Sequence, residues 1–155
     1  MEEKFMIEAL KEAKKAYKRK EVPIGAVIVY KNKIIARGYN LRESKNNSIL
    51  HAEIIAIKKA CKKLKSWRLD ECDLYVTLEP CPMCSGAIIQ SRIKNIFFGA
   101  KDPKAGCVNS KVELFEHGLF NHNVNVSGGL LERECSQLLK DFFKELRKVD
   151  KAKKL

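Results

Sequence analysis

Two short segments of this chain carry side chains whose types and spacing restrict how the chain can fold. One reads Leu50-His51-Ala52-Glu53, and the other reads Glu79-Pro80-Cys81-Pro82-Met83-Cys84. One imidazole and two thiols are ligands that Zn²⁺ takes in proteins, and three protein ligands leave the fourth tetrahedral position open to water. A fold that uses them together must bring two separate segments side by side. We therefore predict a zinc site at His51, Cys81 and Cys84.

The spacing within each segment adds chemistry to the metal site. The combined pattern H-x-E…P-C-x-x-C is the signature of zinc-dependent nucleobase deaminases. Cys81 and Cys84 share one face at the start of a predicted helix, where free N–H groups and the helix dipole favour thiolates. Glu53 follows His51 by two residues, so a regular helix would turn its carboxylate nearly to the opposite side. Spacing alone does not place Glu53 at the metal.

A catalytic site is the interpretation that gives every motif residue a role. Zn²⁺ lowers the pKa of water toward about 7, and a nearby carboxylate can act first as base and then as acid. A redox C-x-x-C pair would leave His51 and Glu53 unused. A structural zinc site would need a fourth ligand, for which His117 and His122 are the candidates.

Composition predicts one globular domain over residues 1–155. The chain has 155 residues, enough for a sizeable core, and 45% of them are hydrophobic. The apolar runs are too short to span a bilayer, and the N-terminus lacks an apolar signal core, so we expect a cytoplasmic protein without a membrane partner. In a reducing cytosol the close cysteine pair serves a metal, and the other four of the six cysteines are expected to be small buried residues.

Charge favours an anionic partner. Lys and Arg number 31 against 19 Asp and Glu, which gives a net charge of +12. Nucleic acid is the first candidate and an anionic membrane surface the second, although scattered lysines also fit a general lysine-rich usage. Two clusters stand out, at residues 14–20 and 140–154.

Hydrophobic periodicity predicts alternating helices and strands. Helices are expected over 2–20, 51–64, 81–91 and 130–148, with a further short helix over 110–117. Strands are expected over 24–30, 34–40, 74–77 and 93–99, with a brief fifth strand at Val124 and Val126. This order indicates one α/β domain with helices on both faces of a mixed sheet.

Several longer stretches resemble one family closely. The chain is similar, from about Met6 to Leu146, to the bacterial tRNA-specific adenosine deaminases of the cytidine deaminase-like superfamily. The zinc motif alone identifies only the superfamily. Its combination with the stretches at 99–106, 121–122 and 128–129 with 141–143 narrows the resemblance to this family. The matching stretches are Glu21-Val-Pro-Ile-Gly-Ala-Val27, Gly38-Tyr39-Asn40, His51-Ala-Glu53, Thr77-Leu-Glu-Pro-Cys-Pro-Met-Cys-Ser-Gly-Ala87, Gly99-Ala-Lys-Asp-Pro-Lys-Ala-Gly106, Asn121-His122, and Gly128-Gly129 leading to Asp141-Phe142-Phe143.

The resemblance implies a fold, a reaction and a set of site residues. The fold would be a three-layer α/β/α sandwich around a five-stranded sheet. The reaction would convert the wobble adenosine of a tRNA anticodon loop to inosine, in a homodimer with one Zn²⁺ per subunit. Implied roles are zinc binding for His51, Cys81 and Cys84, proton transfer for Glu53, base recognition for Asn40 and Ile24, backbone contact with the reacting group for Ala52 and Cys81, contact with flanking nucleotides for Asp102 and Lys104, and contact with the anticodon loop for Phe142, Phe143 and Arg147.

Some residues and functions stay open at this stage. At least one ring of Phe142 and Phe143 could belong to the core. Asn123 and Asn125 stand where the family often has a basic and an acidic residue, which affects only local RNA or dimer contacts. The main alternative is a small-molecule cytidine, cytosine or guanine deaminase; a guanine deaminase would be expected to end in an aromatic residue, whereas this chain ends in Leu155. A non-catalytic zinc-stabilised RNA-binding module would leave Glu53 without a role.

Overall fold

Helices and strands alternate along residues 2–153, which are the residues that the computed structural model describes. Met1, Lys154 and Leu155 lie outside the described residues. The expectation based on Leu155, which argued against a guanine deaminase, therefore concerns a residue outside this range. No helix within 2–153 is long and apolar enough to cross a membrane. The elements are α1 (Glu3–Lys18), β1 (Gly25–Tyr30), β2 (Lys33–Tyr39), α2 (Ala52–Leu64), β3 (Asp73–Leu78), α3 (Pro82–Gln90), β4 (Asn95–Ala100), β5 (Asn125–Ser127) and α4 (Glu132–Lys153).

The five strands form one mixed sheet in the order β2-β1-β3-β4-β5. β1 pairs antiparallel with β2 and β3, whereas β4 pairs parallel with β3 and β5. The predicted hairpin is confirmed, and its turn residues Lys31 and Asn32 have φ values of 50° and 62°. Two successive positive φ angles give the turn geometry that suits the twist of a tight hairpin.

Helices cover both faces of the sheet, so the predicted three-layer α/β/α sandwich is confirmed. Alternate strand residues, such as Ile28 and Val76, belong to one core with α2 and α3. Their neighbours Val27 and Tyr75 belong to a second core with α1 and α4. The period of two along each strand thus supplies one apolar surface to each helical layer.

The start of α2 lies unusually close to β2. Ala52, Ala56 and Ala60 are fully buried along one side of the helix (0% exposed). A Cβ atom at Gly38 would collide with the carbonyl oxygen of Ala52 and lie 2.9 Å from the amide nitrogen of Ala56. Small side chains on both elements therefore allow backbone to meet backbone, which fixes the height of the first turn of α2 above the sheet.

The expected short helix over 110–117 is wrong. The backbone N–H groups of this segment do not bond to the carbonyl four residues back, as they would in a helix. Lys111 N–H donates to the Gly106 carbonyl and Leu114 N–H to the Cys107 carbonyl, at 2.8 and 3.1 Å. Phe115 is anchored in the core with 6% of its surface exposed. Irregular loop bonds and one buried ring therefore override the local helical pattern.

Candidate active site

The three predicted metal ligands meet where α2 and α3 begin. His51 is the residue before α2 and Cys81 the residue before α3, and each has extended backbone, with φ of −77° in both cases. The sulfur atoms of Cys81 and Cys84 each lie 3.6 Å from Nδ1 of His51. All three ligand atoms lie within 4.8 Å of one another. Two helix N-termini thus bring one nitrogen and two sulfurs to a single point.

These three atoms fit a tetrahedral zinc ion. Donor atoms about 2.1 Å (nitrogen) and 2.3 Å (sulfur) from a tetrahedral metal are separated by about 3.6 Å, the separation found for Nδ1 with each sulfur. Cys84 is fully buried and the other two residues are half-buried, so one side of the cluster faces solvent. The cluster could therefore hold a metal ion with one position left for another ligand.

Glu53 lies beside this cluster because His51 precedes the helix. Helical turning begins only at Ala52, so the opposing directions expected from a regular helix do not apply. The Glu53 side chain is 4% exposed, and its carboxyl group lies beside the Cys84 thiol. Burial raises the pKa of Glu53 from 4.5 to about 7. A carboxyl group with a pKa near neutrality can both accept and return a proton.

The pKa values of the two ligand thiols shift in opposite directions. A hydrogen bond from Cys84 is the main reason why the pKa of Cys81 falls to about 4. The same neighbour and burial raise the pKa of Cys84 well above its usual range. The hydrogen bond with Cys81 raises the pKa of His51. Cys81 is therefore readily deprotonated to a thiolate, and a bound cation would favour loss of the proton from Cys84 as well.

A cavity of about 510 Å³ opens beside the cluster. The cavity reaches the cluster through His51, whereas Cys81, Cys84 and Glu53 do not line it. Six predicted site residues line it: Ile24, Asn40, His51, Asp102, Lys104 and Phe143. Arg42 and Lys101 line it as well and were not predicted. Its wall combines apolar side chains such as Ile24 and Phe143 with cations and carboxylates. Apolar surface suits a planar base, and placed polar groups can orient it.

The comparisons with known proteins agree with this geometry. The sequence profile of the MafB19-like deaminases matches residues 1–147. The chain is 54% identical over 151 residues to the tRNA-specific adenosine deaminase of Bacillus subtilis (strain 168), covering 97% of this chain and 94% of that protein. This chain belongs to the tRNA-specific adenosine deaminase family.

Solved structures separate this family from its neighbours. A structure from studies of A-to-I editing by tRNA:A34 deaminases at the wobble position superimposes with a TM-score of 0.84 at 46% identity, covering 87% of this chain and 98% of that one. A guanine deaminase from Bacillus subtilis gives 0.62 at 43% identity and covers only 65% of each chain. The family assignment therefore favours the tRNA deaminases over the small-molecule alternative.

Asn40, predicted to read the base, is held in place by the backbone around it. Its side chain is 6% exposed. Its amide nitrogen donates to the Val22 carbonyl at 3.3 Å, and its amide oxygen accepts from the Arg42 N–H at 3.1 Å. A carboxamide has further donor and acceptor capacity. The side chain of Asn40 therefore lines the cavity in an orientation fixed by these two hydrogen bonds.

The last helix separates its two adjacent rings. Phe142 is 7% exposed and packs edge-on against Tyr17 with a centroid distance of 5.6 Å, so it is a core residue. Phe143 is 40% exposed and faces the cavity. Arg147 lies one turn further on, in an adjoining cavity of about 380 Å³ that also touches Lys104 and Phe143. Ala52 is fully buried behind the ligands and does not line the main cavity.

Sequence reasoning missed two buried carboxylates beside the cavity. Glu21 is 0% and Glu79 is 2% exposed. Backbone N–H groups of Asn109, Ser110 and Asp102, together with the Ser110 hydroxyl, donate to Glu79, and these bonds hold the pKa of Glu79 down near 2 against the opposing effect of burial. The sequence signal that could have indicated their burial is that each adjoins an apolar stretch: Glu79 follows Leu78, and Glu21 precedes Val22.

We expect Glu79→Gln to destabilise the fold in a pH-dependent way. A folded-state pKa of about 2 against 4.5 means that the ionised group contributes stability above pH 4.5 and loses it as pH falls through 2. The shift corresponds to about 3 kcal/mol. Urea unfolding of both proteins should show this difference near pH 7 and a narrowing gap from pH 5 to pH 2. The exposed control Glu71→Gln should cost less than about 0.5 kcal/mol; a gap independent of pH would contradict the prediction.

Proposed function

We propose that this protein is a zinc-dependent hydrolytic deaminase that converts the wobble adenosine of a tRNA anticodon loop to inosine. The observation that carries the proposal is the ligand cluster of His51, Cys81 and Cys84 with the buried Glu53 beside it, at a cavity flanked by cations. Family membership supports the substrate, because relatives of this chain bear the name tRNA-specific adenosine deaminase.

The residues divide the chemistry between metal binding and proton transfer. His51, Cys81 and Cys84 would hold one Zn²⁺ per subunit, which when bound lowers the pKa of water toward about 7. Glu53 takes the proton of the attacking water and passes it to the ring nitrogen next to the attacked carbon. The remaining hydroxide forms the new C–O bond. Glu53 then moves the proton of that hydroxyl group to the amino group, the C–N bond breaks, and ammonia leaves while inosine remains.

The cations around the two cavities suit a nucleotide turned out of a loop. Lys104, Lys140 and Arg147 surround the exposed ring of Phe143. Lysine and arginine neutralise phosphates, and an aromatic face stacks on a base. A loop nucleotide costs less to extrude than one in a duplex. We infer that Asp102 and Lys104 contact flanking nucleotides, while Phe143 and Arg147 contact the loop.

A deamination assay with zinc-loaded protein tests this function. The substrates are an anticodon stem-loop with adenosine at the wobble position, the same stem-loop with guanosine there, free adenosine, cytidine and guanine. We expect inosine to form only in the adenosine stem-loop. Turnover of a free base or nucleoside without turnover of the RNA would overturn the proposal and favour nucleotide salvage.

Asn40→Ala should weaken deamination more than RNA binding. Removing one carboxamide from the base-facing wall leaves the cationic surface intact, so we expect kcat/KM to fall by about 100-fold and stem-loop affinity by less than about threefold. Single-turnover rates and fluorescence anisotropy measure the two effects. Asn95→Ala, which removes a strand carboxamide bonded to Asp73, is the matched control. Equal losses of rate and affinity would argue against base recognition by Asn40.

Charge reversal on α4 should weaken RNA binding and reduce its salt dependence. Lys140, Lys144 and Arg147 are exposed on this helix. Their joint change to glutamate should lower stem-loop affinity by about tenfold or more and flatten the slope of log K against log salt by about 2. Reversing Lys58, Lys59 and Lys62 on α2 makes the same change in net charge outside the cavities. An unchanged slope in the α4 variant would refute this helix as an RNA contact.

We further propose a cytoplasmic homodimer. Large apolar side chains are about half exposed on the two long loops: Ile49 52%, Val112 49%, Leu119 50% and Phe120 48%. Exposed apolar side chains of this size are frequent at protein interfaces. Light scattering should give twice the chain mass, and Phe120→Asp should shift the protein toward monomer. The cytoplasmic localisation is inferred from the proposed substrate, tRNA in the cytoplasm.

A further inference from the structure

Glu21 and Glu79 are buried charges of an unusual kind. Among residues 2–153 the ion pairs involve other acidic groups, and neither of these carboxylates has a cation within 4 Å. A buried carboxylate without a cation is costly unless hydrogen bonds satisfy it. In both residues those bonds come from loop backbone, and both loops reach the candidate cavity.

Glu79 binds the loop between β4 and β5 at several points. Its Oε2 accepts from the N–H groups of Val108, Asn109 and Ser110 at 2.9, 2.8 and 3.0 Å. Its Oε1 accepts from the Asp102 N–H at 3.0 Å and from the Ser110 hydroxyl. Gly106 lies against the same carboxylate, where an added Cβ would collide with the Glu79 side chain. One carboxylate therefore gathers residues 102–110 around itself.

Glu21 holds the loop between β2 and α2 in the same manner. Its Oε1 accepts from the Glu43 N–H at 3.0 Å, and its Oε2 accepts from the Ser44 N–H at 2.6 Å and from the Ser44 hydroxyl. Arg42, directly before these donors, lines the cavity. This loop also leads into the ligand His51.

We propose that Glu21 and Glu79 are positioning residues for the deamination, each holding one of the two loops that form the cavity walls. Through Glu21 the chain fixes Arg42, and through Glu79 it fixes Asp102 and Lys104. Regular secondary structure is absent from most of residues 40–51 and 101–124, so side-chain acceptors must replace the missing ladder bonds. The inference rests on the proposed function, because it concerns the walls that receive the RNA.

Glutamine variants separate this role from a general effect on stability. Glu21→Gln and Glu79→Gln keep the side-chain volume but turn N–H groups toward the loop N–H donors. Glu12→Gln is the matched control: Glu12 is equally buried, at 3% exposed, but it pairs with Arg37 and Lys15 on the α1 side of the sheet. Assays run at 20 °C on zinc-loaded protein whose metal content and folded fraction are measured, with the adenosine stem-loop as substrate.

We expect each loop variant to lower kcat/KM by about 10- to 100-fold, because small displacements of substrate-positioning groups are this costly. Zinc content should stay at one per chain, hydrogen exchange should accelerate most at residues 43–44 or 108–110, beyond any uniform increase from lower global stability, and Glu12→Gln should keep its kcat/KM within about twofold of the unmodified protein. Folded loop variants with faster loop exchange but unchanged kcat/KM would overturn the proposal, as would an equal loss in Glu12→Gln.

Single hydroxyl deletions provide a second test if a glutamine variant does not fold. Ser44→Ala and Ser110→Ala leave each carboxylate in place and remove one donor, so each should lower kcat/KM by about two- to fivefold. Normal rates in both would overturn the proposal. An unmodified protein inactive on the stem-loop would instead overturn the proposed function, and this inference with it; active unmodified protein with normal variants overturns only the positioning role.

Discussion

Glu53→Ala is expected to lower the single-turnover rate of adenosine deamination by about 10²- to 10⁴-fold, while zinc stays at one ion per chain. The reason is that Glu53 is the carboxyl group in contact with the ligand cluster, and burial brings its pKa to about 7. Without it, neither the ring nitrogen nor the leaving amino group receives its proton efficiently.

Two controls make the Glu53 result specific. Glu53→Gln keeps the side-chain volume and should lose a similar amount of rate, which excludes a cavity effect. Glu12→Gln alters an equally buried carboxylate, 3% exposed, on the other side of the sheet and should change the rate less than about twofold. A Glu53→Ala rate within tenfold of the unmodified protein would show that another group moves the proton.

Cys81→Ser is expected to remove both the metal and the activity. An alcohol is a far weaker zinc ligand than a thiolate, and changes to residues around a ligand alone cost 10- to 100-fold in metal affinity. We therefore expect zinc affinity to fall by more than about 100-fold and deamination to become undetectable. Zinc should also raise the melting temperature of the unmodified protein and not that of the variant, because only a ligand that binds the folded state stabilises it.

Cys61→Ser is the matched control for the cysteine prediction. Cys61 is half-buried like Cys81, but its thiol lies on α2 near the Trp67 carbonyl, 3.8 Å away, and outside the ligand cluster. The control should keep one zinc per chain and its activity. Stoichiometric zinc in purified Cys81→Ser would contradict the proposed ligand set.

Sequence motifs predicted the starts of α2 and α3 well because the residues that mark a helix start lie next to it in the chain. Pro82 at the start of α3 and the apolar run after His51 locate two helix starts within a residue or two. The direction of Glu53 could not be derived, because it depends on His51 having extended backbone instead of the first helical turn. One residue of difference at a helix end turns the carboxylate from away from the metal to beside it.

The loops resisted prediction because their bonds are non-local. Glu79 accepts a hydrogen bond from the N–H of Ser110, which is 31 residues away in the chain. No periodicity in the intervening sequence predicts such a bond. The sequence of 110–117 predicts a helix, but its Ser110 N–H bonds to Glu79 and two later N–H groups bond to carbonyls five and seven residues back. Phe142 and Phe143 differ for a similar reason: Tyr17 on α1 decides which ring is covered.

The contact at Gly38 has a consequence for how this protein tolerates mutation. Gly38 offers no side-chain atom to metal, base or phosphate, yet any larger residue there would push against Ala52, the neighbour of His51, and shift the first turn of α2. In a substitution scan this position should be as intolerant as a ligand, whereas the exposed cations proposed to contact RNA should accept many replacements. Intolerance at Gly38 would therefore reflect the space beneath the site, and a map of tolerance alone would not distinguish it from a residue that performs chemistry.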